Sequence, residues 1–273
     1  MKSKKKTIAV GVLLTVMIAV TYLPMAVLTI FSFTDAKTLG VWNGFTFDLY
    51  KELFSNAEIM GALLNSIIIG LSASVLAVIL GTFASIGINS LKRGARMVAE
   101  GVNQITMVNA DIVTAVGFML LFLMWITIPN DYVTLIIAHT MICTPYVVMS
   151  VLPRLGQLNP NLYEAGLDLG AKPLRTILTV ILPQLIPGII SGFALAFTIS
   201  LDDYTISALV GSSVTTIPKF LYTKLKVKGI SPVLRSLSVV IMVVIMIVLV
   251  AINVSSSRME KKKKQMEKMI GRS

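Results

Sequence analysis

The chain has 273 residues, of which 55% are hydrophobic and only 14% are charged, and its formal net charge is +11. A soluble domain has about 25% charged residues, so this composition excludes an ordinary soluble enzyme or binding domain. The basic residues lie mainly between and beyond apolar segments. Their charge therefore indicates contact with anionic lipid headgroups rather than with nucleic acid.

Six apolar segments are long enough to cross a bilayer, whose hydrocarbon core of about 30 Å needs about 20 residues of helix. In chain order they cover residues 8–30, 62–88, 104–127, 133–152, 182–201 and 234–254. Backbone polar groups must be satisfied internally in hydrocarbon, and the strict alternation of a membrane barrel is absent. The sequence thus predicts an all-α, polytopic membrane protein with six spans in a single transmembrane domain, residues 1–273.

The first apolar segment follows four lysines between residues 2 and 6 and so resembles a signal peptide. A signal peptide has a shorter apolar region, of about 7–15 residues, and a small-residue cleavage site. Neither property fits this segment. We therefore expect it to remain in the mature protein as the first span.

The distribution of basic residues predicts the orientation of the spans. Six spans place both termini on one side of the membrane, and that side holds 17 of the 24 Lys and Arg residues. By the positive-inside rule, both termini are cytoplasmic. The lysines at 219, 224, 226 and 228 fit less well, because they fall on the external side.

The chain lacks the usual motifs of hydrolytic chemistry. It has no phosphate-binding Gly-x-x-x-x-Gly-Lys-Ser/Thr loop, no Gly-x-Ser-x-Gly elbow and no His-Glu-x-x-His. Cys143 and His139 are each the single residue of their type, which excludes an internal disulfide. We predict no catalytic residue and no metal site, and a packing or hydrogen-bonding role for His139.

A polar segment, EAGLDLGAKP, lies between the fourth and fifth apolar segments. Asn159 followed by Pro160 is typical of a helix start, and Gly170 is typical of a helix end. Pro173 then opens a second short helix that we expect to run to about Thr179. Two short helices that meet at a glycine are therefore predicted on the cytoplasmic side.

The first of these helices has two kinds of face. Its apolar positions are predicted to form a stripe, made of Leu162, Ala165, Gly166 and Leu169. Glu164 and Asp168 are four residues apart and share another face. The residues alone leave two interpretations open: a capped loop helix, or a helix that docks onto a partner.

This segment resembles the EAA loop of binding-protein-dependent ABC importer permeases. The family pattern is Glu-Ala-Ala, three residues, Gly, nine residues and then Ile-x-Leu-Pro. Here it reads EAG at 164–166, Gly170, and VILP at 180–183. The departures are Gly166 in place of alanine and Val180 in place of isoleucine.

The resemblance implies the permease fold of type I ABC importers, with coupling helices over residues 159–183. In this family the EAA helix docks on a separate cytoplasmic ATPase, which binds ATP and magnesium, so the chain itself needs no cofactor. The residues that the resemblance assigns to coupling are Glu164, Ala165, Gly166, Asp168, Gly170 and Pro183.

Three carboxylates fall within or at the ends of predicted spans: Asp111, Asp202 and Asp203. An ionised side chain inside the membrane costs at least about 2.5–3.5 kcal/mol and usually faces an aqueous path or a partner charge. A cationic cargo is one such partner. Interfacial solvation or helix capping is the alternative for Asp202 and Asp203, whereas Asp111 is expected to lie deeper in its apolar segment. The aromatic rings of Trp42 and Tyr204 suit a cationic cargo as well, and the equal alternative for each is an anchor at the membrane interface.

Three short segments resemble the PotC-type spermidine/putrescine permeases of this family: WNGFT at 42–46, NADIV at 109–113 and SLDDY at 200–204. The resemblance implies that the polyamine or its path is contacted by Trp42, Asp111, Ser200, Asp202 and Asp203, with Tyr204 beside them. Ala110 stands where many relatives have proline, a change that we expect to alter the local bend.

The expected function is therefore that of a polyamine permease subunit in a bacterial cytoplasmic membrane, driven by ATP and working by alternating access. The resemblance implies three partners: a PotB-like permease half, a PotA-like ATPase dimer and a PotD-like extracytoplasmic binding protein. Two alternatives are a different small solute as cargo and a self-contained secondary transporter. Inverted repeats would favour the second alternative, and none is visible.

Overall fold

The computed structural model describes residues 2–36, 40–125, 131–211, 213–228 and 231–247, together with 250 and 254. The basic residues at 258–272 lie outside the described residues, as do 126–127 of the predicted third span and 248–249 and 251–253 of the predicted sixth span.

The described part of the chain is built from helices joined by short connections. Their bounds are α1 (Lys2–Phe31), α2 (Asp48–Ser55), α3 (Ala57–Ser90), α4 (Arg93–Val108), α5 (Asp111–Met124), α6 (Asp131–Leu155), α7 (Asn161–Asp168), α8 (Pro173–Thr176), α9 (Leu182–Asp202), α10 (Thr205–Leu209), α11 (Ile217–Lys228) and α12 (Pro232–Ile247). A π-helical turn over Ile177–Ile181 connects α8 to α9 without a break.

Four helices in the described ranges are long and apolar enough to cross a membrane: Val10–Phe31, α3, α6 and the continuous helix Pro173–Asp202. They correspond to the predicted spans one, two, four and five. A fifth candidate is the bent pair of α4 and α5, and α12 is a shorter apolar helix in its described part. The count of six spans therefore stays a prediction.

The third predicted span is not one straight helix. The axes of α4 and α5 differ by 100°, and the bend lies at Asn109 and Ala110, whose backbones are extended. Asn109 disfavours helix continuation, and Asp111 is favourable in a first helical turn. Asp111 is therefore the first residue of α5 and lies at the bend, not inside one straight helix. The chain bends without a proline at position 110.

The described chain divides into two compact units, the first of which comprises residues 1–60 and 221–244. Within it, the hydroxyls of Ser32 and Tyr50 are hydrogen-bonded at 2.7 Å, and the ring of Phe33 stacks on that of Phe45 at 5.3 Å. The side chains of α1 from Val10 onward are largely exposed apolar groups. This pattern is typical of a helix that faces lipid or another subunit.

The second unit comprises residues 61–220 and 245–273, and its core forms where α6 packs between α3 and α9. Val147 of α6 is fully buried and lies against two glycines, Gly81 of α3 and Gly192 of α9. A Cβ atom on Gly81 would lie 2.7 Å from the Cβ of Val147. Small residues thus allow these helices to approach closely.

The first of the two short helices between α6 and α9 starts and ends largely as predicted. The side-chain oxygen of Asn159 accepts a hydrogen bond from the backbone N–H of Asn161, at 3.0 Å. Gly170 has a φ of 80°, and its N–H donates to the carbonyl of Leu167 at 2.8 Å. The N–H of Ala171 donates to the carbonyl of Gly166, which completes a Schellman motif.

The second short helix differs from its prediction, because α8 does not end near Thr179. It continues through the π-helical turn into α9. Pro183 has no N–H to donate to the preceding turn, and a π-helical turn accommodates such a missing bond. The second short helix and the fifth apolar segment therefore form one continuous helix from Pro173 to Asp202.

Candidate functional site

A cavity of about 260 Å³ lies in the second unit, where the bend between α4 and α5 meets the C-terminal end of α9. Its lining residues come from five helices and the segment after α9: Thr106, Asp111, Thr114, Ile142, Tyr146, Ile199, Asp202, Asp203, Tyr204, Thr205 and Ile206. Three of them are carboxylates and none is Lys or Arg. The cavity thus has the electrostatic character of a cation site.

Asp203 is the most firmly held of the three carboxylates. It follows the last residue of α9, and its Oδ2 accepts hydrogen bonds from the backbone N–H groups of Ile206 and Ser207, at 3.1 and 3.0 Å. Its side chain is only 8% exposed. Asp203 therefore caps α10 and also lines the cavity. Helix capping and a place beside the cavity, which the sequence analysis treated as alternatives, occur together at this residue.

Asp111 and Asp202 are held differently from Asp203. Both residues are exposed, and neither carboxylate accepts a hydrogen bond from the described part of the chain. Asp111 begins α5, where the helix dipole favours a negative charge. These two carboxylates keep their full capacity to accept hydrogen bonds from an incoming ligand.

Ser200 does not line the cavity. It is buried on α9, and its hydroxyl lies 2.7 Å from the Nδ1 atom of His139 on α6. The sequence resemblance implied that Ser200 contacts the ligand or its path. In this structure its hydroxyl faces His139 instead of the cavity. The predicted hydrogen-bonding role of His139 agrees with this contact.

The aromatic residues are divided between the two units. Tyr204 lines the cavity, and so does Tyr146 of α6, which the sequence analysis missed. Only the fold reveals Tyr146, because nothing in its local sequence sets it apart from other aromatic residues near a span. Trp42 belongs to the first unit, where its half-exposed ring meets that of Phe31 edge-on at 6.4 Å.

The first short helix, α7, has a buried face that differs from the predicted stripe. Leu162 and Tyr163 pack against the core of the second unit, and Gly166 is buried against Thr176. Leu169 was predicted to lie in the stripe, but its side chain is 89% exposed. The Schellman turn causes this difference, because residue 169 is the last before the chain reverses at Gly170.

The opposite face of α7 is open to solvent. It carries Glu164, Ala165, Asp168 and Leu169, so acidic groups flank an exposed apolar side chain. An exposed patch that mixes an apolar centre with charges at its edge is typical of a surface that contacts another protein.

Two of the four lysines at 219, 224, 226 and 228 have contacts within the chain. The ammonium group of Lys219 donates to the carbonyl oxygens of Gly211 and Val214, the latter at 3.0 Å. Lys224 forms an ion pair with Glu58, with 2.6 Å between Nζ and Oε2. These two lysines therefore have structural contacts within the chain.

The chain matches a known protein family over most of its length. The model of the binding-protein-dependent transport system inner membrane component matches residues 77–261. The chain belongs to this family, whose members are the permease subunits of ABC importers and leave ATP hydrolysis to a separate subunit. Together with the apolar helices, this makes the chain a multi-pass inner-membrane protein.

Individual relatives and structures agree with this assignment. The putrescine transport system permease protein PotI of Escherichia coli (strain K12) is 35% identical over 229 residues, which cover 81% of each chain. The spermidine/putrescine permease PotC of Haemophilus influenzae is 32% identical over 83% of this chain and 88% of its own. A crystal structure of a bacterial alginate ABC importer shares the fold, with a TM-score of 0.70 at 16% identity over 94% of this chain and 96% of the other.

Proposed function

We propose that the chain is one permease half of an ATP-driven importer for polyamines of the spermidine and putrescine class. The observation that carries the proposal is the cavity lined by Asp111, Asp202 and Asp203, with no Lys or Arg among the described residues that line it. An extended polycation brings its own compensating charge to such a site. The names of relatives such as PotI and PotC support this cargo.

The arrangement of the carboxylates fits a transported ligand better than a permanently bound one. Asp203 is fixed by backbone donors, whereas Asp111 and Asp202 are exposed and free of hydrogen bonds from the described chain. Ammonium groups lose water on entry and gain charge-assisted hydrogen bonds, and the ring of Tyr146 or Tyr204 adds a cation–π surface. The polar lining allows water to replace the ligand after release.

The cargo is tested by uptake of labelled spermidine and putrescine into proteoliposomes that contain the complete transporter with its binding protein. Asp111→Asn and Asp202→Asn should each lower the uptake rate per assembled complex by about tenfold, the loss expected for one hydrogen bond to a charged group. Asp35→Asn is the control, because Asp35 is exposed and does not line the cavity.

Two outcomes would change the cargo assignment. If the wild-type complex transports another small solute but no polyamine, the importer assignment remains and the cargo is different. If polyamine uptake is normal in both carboxylate variants, the cavity is not the site. The alternative of a self-contained secondary transporter is not supported by membership in a binding-protein-dependent family.

We further propose that the exposed face of α7 docks on the cytoplasmic ATPase, which places the chain termini on the cytoplasmic side as well. The mixture of Glu164, Asp168 and the 89% exposed Leu169 supports this role. A PotB-like second permease half, a PotA-like ATPase dimer and a PotD-like binding protein complete the proposed assembly. Leu169→Asp should abolish co-purification of the ATPase, whereas Leu174→Asp is a control at another exposed leucine, 62% exposed on α8.

A further inference from the structure

We propose that His139 is a positioning residue that holds Asp203 in place for a cationic cargo, an inference that rests on the proposed function. His139 lies on α6 with only 1% of its surface exposed, and it does not line the cavity. Its Nδ1 is 2.7 Å from the hydroxyl of Ser200, and its Nε2 is 3.6 Å from Oδ2 of Asp203. The ring therefore lies directly behind the carboxylate that lines the cavity.

The hydrogen-bond partners of His139 indicate which of its two ring nitrogens carries the hydrogen. A neutral imidazole has one N–H donor and one acceptor nitrogen. The hydroxyl of Ser200 can donate to Nδ1, which leaves the hydrogen on Nε2. The Nε2–H group then points toward the carboxylate of Asp203 and the hydroxyl of Ser207, whose oxygen is 3.4 Å away. Each nitrogen of the buried ring thus has a partner of complementary polarity.

The ring also connects three helices around the break that carries Asp203. It belongs to α6, Ser200 lies near the end of α9, and Ser207 lies on α10. Asp203 has an extended backbone between α9 and α10, and its carboxylate is held by two backbone N–H groups of α10. His139 adds a contact from a different helix, so the carboxylate is fixed relative to α6 as well.

A neutral donor suits this position better than a cation would. Asp203 shares the cavity with Asp111 and Asp202, and these negative charges oppose one another. A Lys or Arg behind Asp203 would form an internal ion pair and compete with a cationic cargo. The N–H of a neutral His139 supports the carboxylate and leaves the negative charge available to the ligand.

Two variants of His139 separate positioning from packing. The amide nitrogen of glutamine reaches about as far as Nε2, whereas the shorter side chain of asparagine reaches about as far as Nδ1. His139→Asn should therefore lower the polyamine uptake rate per assembled complex by about fivefold, the loss of one ordinary neutral hydrogen bond, while His139→Gln retains most of the rate. Cys143→Ala is the packing control, since it removes another buried contact between α6 and α9.

A double-mutant cycle in proteoliposomes with the complete transporter provides the decisive measurement. If His139 acts through Asp203, His139→Asn has no further effect in the Asp203→Asn background and a full effect in the Asp202→Asn background. Equal losses in both backgrounds, or equal losses from His139→Asn and His139→Gln, would overturn the inference. If His139→Asn does not assemble, Ser200→Ala, which removes the hydroxyl that orients the ring, replaces it in the same cycle.

The failure of this inference can be told apart from the failure of the proposed function. Suppose that the wild type takes up polyamine, that Asp111→Asn lowers this uptake, and that the effects of the His139 and Asp203 variants are additive. These results refute only the role of His139. A wild-type complex that transports no polyamine removes the cargo, and the inference falls with it.

Discussion

The methyl group of Thr176 occupies the space in which a Cβ atom on residue 166 would lie. Thr176 is fully buried in α8, and Gly166 is the buried residue of α7. α7 and α8 therefore approach each other closely at a position where one of them has no side chain. The sequence resemblance places an alanine at position 166 in the family pattern, and this chain has glycine together with a β-branched partner.

Gly166→Ala should destabilise the contact between α7 and α8. Thr176 has a branched and fully buried side chain, and overpacking against such a group costs about 1–3 kcal/mol. We expect a lower unfolding temperature of the purified complex and weaker retention of the ATPase. Thr176→Ser removes the obstructing methyl group, so the double variant should recover most of the loss.

Gly101→Ala is the matched control for this prediction. Gly101 lies within α4, and a Cβ atom there would meet no heavy atom within 4 Å. Alanine is favoured over glycine in a helix by about 1 kcal/mol, so this variant should be neutral or stabilising. An unchanged unfolding temperature for Gly166→Ala would contradict the packing described here.

Gly170 is predicted to tolerate asparagine better than a branched residue. Its φ of 80° lies in the left-handed region, which costs L-residues about 1–2 kcal/mol and which asparagine accepts more readily. Gly170→Val should therefore distort the Schellman turn and lower the polyamine uptake per ATP hydrolysed, while the apolar helices still insert. Uptake and ATPase rates measured on the same proteoliposomes give this ratio.

One result for Gly170→Val would contradict the proposed need for the turn. Space does not limit the substitution, because a Cβ atom on Gly170 would meet nothing within 4 Å. A normal ratio in Gly170→Val would thus show that the turn geometry is not needed for coupling.

Gly81 should be far less tolerant than Gly87 of the same helix. A Cβ atom on Gly81 would lie 2.7 Å from the Cβ of Val147 and 3.1 Å from the carbonyl oxygen of Thr144. Gly87→Ala meets no atom within 4 Å, so it provides a control with the same chemical change. We expect Gly81→Ala to reduce the amount of folded complex recovered in detergent, as measured by size-exclusion chromatography, and Gly87→Ala to leave it unchanged.

We expect Asp48 to make a pH-dependent contribution to the stability of the first unit. The hydroxyl of Thr46 donates to its carboxylate at 2.8 Å, and this bond, followed by the ion pair with Lys51, lowers the pKa of Asp48 below its ordinary value of 3.8. A lowered pKa in the folded state stabilises the fold at pH values above 3.8, and this stabilisation disappears as the pH falls through the folded pKa.

The measurement for Asp48 compares unfolding temperatures of the wild type and Thr46→Val across pH. Thr46→Val removes the largest cause of the shift, so it should unfold at a slightly lower temperature at neutral pH. The difference should shrink below pH 3.8. A difference that grows in acid would contradict the assignment, and the exposure of this carboxylate keeps the effect small.

Local signals in the sequence were sufficient for some features of the candidate sites. Asn159 and Gly170 act on the residues next to them, and the structure has a capping contact and a left-handed residue at these positions. Asp111, Asp202 and Asp203 stood out because carboxylates near apolar segments are costly, and the structure brings them to one cavity. Their role in transport remains a proposal.

Other features depended on contacts between residues distant in sequence. Nothing near Leu169 indicates that it is 89% exposed, because its burial depends on how α7 lies against α8 and the core. The same holds for Ser200, which points toward His139 rather than into the cavity. The periodicity of apolar residues predicts which side chains share one face of a helix, but it does not predict which other helices pack against that face.

By itself, the sequence determined that this protein is a helical membrane protein with a polar segment between its fourth and fifth apolar segments, because apolar length, capping residues and the EAA spacing are local properties of the chain. Only the tertiary structure decided that the third apolar segment bends by 100° and that Asp111 starts a helix there. It also decided that His139 lies behind Asp203. These arrangements depend on which helices pack together, and that packing is determined by interactions among many residues far apart along the chain.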